Sequence, residues 1–175
     1  YRNSILGSIK HLKNPSLSHM RTYVERYYIP NNMAIIVSGD INIAKTIDII
    51  DKQFSRWEKR DLPETPVWAE PNLDEVRRVE INYPGEDYIL LAYRTVSNKH
   101  RDAEALQMLD MILDNATAGL INLNLNQRQL VREAGSYPYQ NNDYGAQYLW
   151  GIPKDGQSLE ELEQLLINQI HQIKE

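Results

Sequence analysis

The side chains best suited to metal or acid–base chemistry are four histidines, His11, His19, His100 and His171. A catalytic zinc takes three protein ligands and leaves a fourth position for water. The useful pattern is therefore two closely spaced histidines on one helix face plus a distant third donor. None of the four belongs to a His-x-x-x-His or His-x-x-Glu-His pair. His100 and Glu104 lie one helical turn apart and could share a face, but they supply at most two ligands. An exposed loop histidine near the start of a helix accounts for His100 without a metal. His171 falls on a terminal helix, and His11 and His19 flank a turn, where solvent or a subunit contact suffices. Nucleophile patterns fare no better: no Gly-x-Ser-x-Gly elbow is present, and "VSGD" at 37–40 lacks the flanking glycine. A single Gly39 between a strand and a helix does not make a phosphate cradle. Glu160, Glu161 and Glu163 crowd a helix start, where carboxylates complement the macrodipole and need no catalytic role. The residues predict no catalytic, metal-binding or cofactor-binding group within this chain.

Composition narrows the classes further. The 175 residues are 42% hydrophobic, with 19 basic and 24 acidic side chains and a net charge of -5. A chain of this size can bury roughly 70% of its unfolded surface, so one domain spanning 1–175 is the natural count. Arg77-Arg78 and Lys59-Arg60 are short basic clusters flanked by Glu75, Glu80, Glu58 and Asp61, a solvated mixture rather than a nucleic-acid footprint. No cysteine is present, which excludes disulfides and thiolate chemistry here and leaves the compartment unknown. No apolar run approaches the length that spans a bilayer. "YRNSILGSIKHL" carries neither an initiator methionine nor a secretory pattern, and "LINQIHQIKE" ends while still helical. The chain reads as a piece of something longer.

The elements that would position any site follow from periodicity. Ile5, Ile9 and Leu12 predict a helix over 4–12, and Met20, Val24 and Tyr27 a second, capped by Ser16 or Ser18. Pro30 stops helix continuation, and Met33–Val37, closed by Ser38-Gly39-Asp40, predicts a buried strand over 33–38. Ile43, Ile47, Ile50, Phe54 and Trp57 give the cleanest helical stripe, with Asn42 as cap. Residues 58–75 carry three prolines and many acids; a domain linker is the alternative, but neither flank has elements enough for its own core, and the stretch reads as an internal crossover. Val79, Ile81 and Tyr83 alternate as a strand, and "PGED" turns the chain into a second one over 88–93. A helix capped by Asp102 carries Leu106, Leu109, Ile112 and Leu113. Residues 117–131 read as helix despite an apolar spacing of two at Ile121, Leu123 and Leu125. A hairpin fits 134–152, turning at 140–143, and a capping box of Ser158 and Glu161 starts the last helix. The predicted fold class is α+β, with a mainly antiparallel sheet and its helices packed on one face. The eleven tyrosines suit half-buried positions on strands and helix faces.

The run "SLSHMRTYVERYYIPNNMAIIVSGDINIAKTIDIIDKQFSRW", residues 16–57, resembles the pitrilysin/insulinase family of zinc metallopeptidases, the inverzincins, which include the mitochondrial processing peptidases. Tyr27, Tyr28, Pro30, Asn31, Asn32, Met33, Gly39, Asp40, Phe54 and Trp57 carry the likeness. "HRDAEALQMLDMILDNATAGLINLNLNQRQLV" resembles the family's following helical pair, in which Ala-Gly-Leu starts the second helix.

The resemblance implies a pitrilysin/insulinase-type domain. In that family two histidines of His-x-x-Glu-His and a later glutamate hold zinc, while the glutamate inside the motif takes a proton from the metal-bound water. This chain contains no such helix. An arginine and a tyrosine of the partner half help hold substrate in the family. Arg132 and Tyr139 have comparable spacing, but aligning "NLNLNQRQLV" places that arginine near Asn126, and the role is not carried over. The implied function is a non-catalytic domain that shapes the peptide-binding chamber and packs on the zinc-bearing half of the same protein or of a partner subunit. Zinc would sit in that other half, and a peptide substrate in the shared chamber, with no nucleic acid or membrane partner. Two alternatives stay open: a zinc-free scaffold of the same fold, and an unrelated α+β binding module of ferredoxin-like order.

Overall fold

Ser8, Ser16, Asn42 and Ser158 cap helix starts in the computed structural model, which describes residues 5–66 and 69–174, while Asp102 stands at an N-cap without making the capping hydrogen bond. Ser4 of the first predicted helix and residues 67 and 68 of the crossover lie outside the described residues. The chain divides into two compact units, Tyr1–Val76 and Arg77–Glu175, with the boundary at the end of the Pro- and acid-rich stretch.

In the first unit, α1 (Ile9–Lys13) begins where Ser8 Oγ accepts from His11 N, and α2 (Leu17–Tyr27) where Ser16 Oγ accepts from His19 N. Each hydroxyl satisfies one of the amides that a helix start leaves without a partner. Pro30 opens a single 3₁₀ turn, Pro30–Asn32. The two asparagines after it hold their neighbours. Asn31 Nδ2 donates to Arg60 O at 2.9 Å and its Oδ1 accepts from Arg60 N at 3.3 Å. Asn32 Nδ2 donates to the Tyr27 carbonyl at 2.9 Å. Gly39 has φ +140, a region that residues with a Cβ rarely adopt, and the turn leads to α3 (Ile43–Phe54), capped by Asn42 Oδ1 on Lys45 N at 3.1 Å.

The strand expected over 33–38 is not formed. Met33 is extended (φ -131, ψ 153), but the segment enters no ladder. A strand exists only as a member of a hydrogen-bonded pair, and no second strand lies among the described residues of this unit. Among the described residues of this unit Ile29, 2% exposed, is the buried hydrophobic side chain, while Ile36 is 90% exposed.

The second unit contains β1 (Ile89–Thr95), α4 (Ala103–Leu113), a π-helical turn (Asn122–Asn126), β2 (Glu133–Gln140), β3 (Gly145–Ile152) and α5 (Leu159–Ile173). The strands form an antiparallel sheet of order β1-β3-β2, so β3 is central. Leu149 of β3 pairs with Leu91 on one side and Ser136 on the other. Leu113, Ile121, Leu125, Val131, Ala134, Leu149, Leu162 and Leu166 form the core between this sheet and its helices. At Gly151 an added Cβ would stand 2.9 Å from Leu162 Cδ1, which shows how closely α5 approaches β3. The architecture is α+β with an antiparallel sheet and helices on one face, as the periodicity predicted.

The predicted strand at 79–83 is absent. Its neighbours are tied down through side chains instead: Arg78 makes a bidentate pair with Glu163 of α5, at 2.8 and 2.7 Å, and Tyr83 donates to the Glu86 carbonyl at 3.2 Å. Residues 117–131 are helical only around the π turn, and Gln129 departs with φ +53. Asn115 starts this segment: its Oδ1 accepts from the amides of Thr117, Ala118 and Gly119 at 3.2, 2.7 and 3.0 Å.

Candidate functional site

The four histidines are placed by four different stretches and are not brought together. His11 lies on α1, His19 on α2, and His171 in the last turn of α5. His100 precedes α4, where its Nδ1 accepts from Asp102 N at 3.2 Å and stands 3.6 Å from the Asp102 carboxylate. This pairing within one turn occupies the histidine locally and leaves Glu104 out. Among the described residues no group of three or more histidine, aspartate or glutamate side chains could hold a metal ion. The donor set present in the described residues does not fit zinc. Glu160 and Glu161 occupy the first turn of α5, where the helix dipole favours them, and Glu163 is engaged by Arg78.

The sheet offers a different kind of surface. Side chains alternate across a strand, and Ser136, Gln147, Leu149 and Gly151 point toward the helices. Tyr137, Tyr139 and Tyr148 therefore point to the opposite face. Tyr137 and Tyr148 stack with ring centroids 5.1 Å apart, and Tyr139 meets Tyr148 edge-on at 6.3 Å. Tyr137 and Tyr139 are exposed. At the hairpin end the Arg94 guanidinium lies 5.6 Å from the Tyr144 ring centroid. Stacked tyrosines present flat apolar area with little rotamer entropy to lose, which suits a surface that contacts another chain. Arg132 and Tyr139 are separated in role: Tyr139 belongs to the aromatic face, while Arg132 Nη1 pairs with Glu86 Oε1 at 2.8 Å in a largely exposed bridge.

The aromatic face is held from behind by polar groups that periodicity did not reveal. Asp110 Oδ1 accepts from Ser136 Oγ at 2.6 Å and Gln147 Nε2 at 2.5 Å, tying α4 to β2 and β3. Asp114 Oδ2 accepts from Ser136 N at 2.9 Å. Gln147 is 4% exposed, and its Oε1 is buried without a hydrogen-bond partner. The available signal was Asp110 and Asp114 at i and i+4 in "LDMILDN", two acids one turn apart on a helix otherwise apolar there.

The family model described as the peptidase M16 inactive domain matches residues 16–175. The protein named zinc protease PqqE from Helicobacter pylori is 26% identical over 149 residues, covering 82% of this chain and 33% of that protein. A solved structure, described as a protease from Helicobacter pylori, has the same fold at a TM-score of 0.81 and 23% identity, over 97% of this chain and 42% of that one. The chain thus spans about a third of the length of the curated relative it matches.

Proposed function

Because the chain belongs to the peptidase M16 family, matched by the model of its inactive domain, we propose that it is the part of a zinc metallopeptidase that closes the peptide-binding chamber without performing the chemistry. It packs on a zinc-bearing half, carried by the same protein or by a partner subunit, and zinc resides in that half. The observation that carries this reading is the family match over residues 16–175. Two features of the structure support it. The candidate metal donors are spread over separate stretches, so no proton abstraction or water activation is assigned to this chain. The sheet covers one face with helices and leaves the other face aromatic and open, a form suited to lining a shared space into which an unfolded peptide enters.

The test compares the purified 175-residue chain with the chain assembled on its zinc-bearing half. The chain alone is expected to bind no stoichiometric zinc and to leave an unfolded reporter peptide intact. The assembly is expected to cleave it, and a chelator to abolish the cleavage. Chelator-sensitive hydrolysis by the chain alone overturns the reading.

A further inference from the structure

Residues 33–37 present the largest mismatch between sequence and surroundings. Met33, Ile35 and Val37 alternate with Ala34 and Ile36, so an extended backbone places apolar side chains on both faces. Such strands belong inside a sheet covered on both sides. Met33, Ile35, Ile36 and Val37 are all exposed in the first unit. The backbone is equally unpartnered: Met33 N donates to Pro30 O at 3.4 Å, and no ladder bond involves residues 34–37 among the described residues. An uncharged, β-branched segment without proline, left open in this way, is an aggregation hazard unless something pairs with it. Immediately beyond, Gly39 turns the chain into α3, whose Ile43, Ile47 and Phe54 are exposed in turn, with Trp57 just past its end. A strand, a tight turn and a helix with an apolar stripe are the parts of a unit that packs its helix on the sheet its strand joins.

We infer that Met33–Val37 is an added strand of a β-sheet supplied by the zinc-bearing half, with the apolar stripe of α3 lying on that sheet's face. The inference rests on the proposed function for the existence of that half. The occupant is a sheet edge because a strand meets a whole row of backbone N–H and C=O groups in register, which a helix or a lipid surface leaves unmet. It lies outside this chain's length, as the one-third span of the curated relative allows. The first 76 residues would then contribute structure to the catalytic half, joined by the Pro-rich stretch to a unit with a core of its own.

Hydrogen–deuterium exchange of the Ala34–Val37 amides tests this directly, on the 175-residue chain alone and on the chain assembled with the zinc-bearing half. The amides are expected to exchange freely in the chain alone and at least about 100-fold more slowly in the assembly. Slow exchange in the chain alone overturns the inference. Free exchange in an assembly that hydrolyses peptide also overturns it, while leaving the proposed function standing. Slowed exchange in an assembly without chelator-sensitive hydrolysis supports the strand and removes the proposed function. Ile36→Asp is expected to weaken assembly by at least about tenfold, with Glu64→Lys as the unchanged control; equal assembly by both variants counts against the inference. Protection that appears in the isolated chain as its concentration rises would assign the edge to a second copy instead, and so would overturn it.

Discussion

Asn126 and Ala134 exchange two hydrogen bonds: Asn126 Nδ2 donates to the Ala134 carbonyl at 2.8 Å, and Ala134 N donates to Asn126 Oδ1 at 2.9 Å. A side-chain amide thus takes the place of a neighbouring strand on the outer edge of β2. Two residues on, Asp114 takes the Ser136 amide, and two further on Pro138 has no amide to offer. The edge is closed by three different means at alternate positions, a native defence against unwanted strand pairing. The π-helical turn places Asn126 for this role, while Asn124 from the same turn donates to Gln169 and Gln172 of α5.

Asn126→Ala is expected to destabilise the second unit by about 2–3 kcal/mol, since it removes two bonds and strands the buried polar groups of Ala134. The urea midpoint of the chain, followed by tyrosine and tryptophan fluorescence, should fall accordingly. Asn126→Asp keeps the acceptor and loses the donor, so it should recover only part of the loss. An unchanged midpoint for Asn126→Ala would mean that the edge is not closed by this residue.

Gly135→Ala should also be costly, for a steric reason. A Cβ at this position would lie 2.7 Å from Asp114 Oδ2 and 2.9 Å from Trp150 Nε1. The carboxylate must then leave Ser136 N, at an expected cost of about 1–3 kcal/mol. If that displacement is the cause, Gly135→Ala and Asp114→Ala will fall well short of additivity in a double-mutant cycle. Additive losses would refute the mechanism.

Much of the second unit can be read from its sequence because its elements complete one another. The stripe ending in Leu113, the alternation through 134–152 and the Ser158 cap each report a partner that is present. Met33–Val37 and Val79–Tyr83 show the limit of that reading. Their patterns specify apolar extended backbone, but a ladder needs a second strand, and periodicity within one segment does not say where that strand is. The edge-closing roles of Asn126 and Asp114 were hidden for a related reason. Polar residues that bond backbone distant in sequence leave no periodic trace, and Asn126 looked like one more asparagine in an ambiguous "NLNLN".

The Arg132–Glu86 bridge separates stability from function. Both side chains are more than half exposed, at 59% and 61%, so water competes for each charge. Exposed pairs of this kind contribute at most about 1 kcal/mol, and less at high salt. Arg132→Ala is therefore expected to leave the urea midpoint of the chain almost unchanged. A large loss of stability would show that the arginine does structural work beyond this bridge. With stability intact, the same variant carried into the proposed assembly with a zinc-bearing half reports directly on any contact between Arg132 and peptide.

Tyr93 makes stability depend on alkaline pH. Partial burial raises its hydroxyl above the ordinary tyrosine range, and the nearby charge of Glu163 adds to the shift. The same carboxylate is paired with Arg78, whose own ionisation is pushed further up by that hydrogen bond. A raised value in the folded state means that folding favours the neutral phenol. That contribution is complete below the unfolded tyrosine value of about 10, and it is lost as pH rises through the folded value. The urea midpoint of the chain should therefore fall as pH rises past the ordinary tyrosine value of about 10. Tyr93→Phe keeps the ring and removes the ionisation, so its midpoint should fall less steeply there. Glu163→Gln should flatten the profile only in part, because burial is the larger cause and remains. Parallel profiles for the native chain and Tyr93→Phe would show that the phenol keeps the same ionisation in both folded and unfolded states.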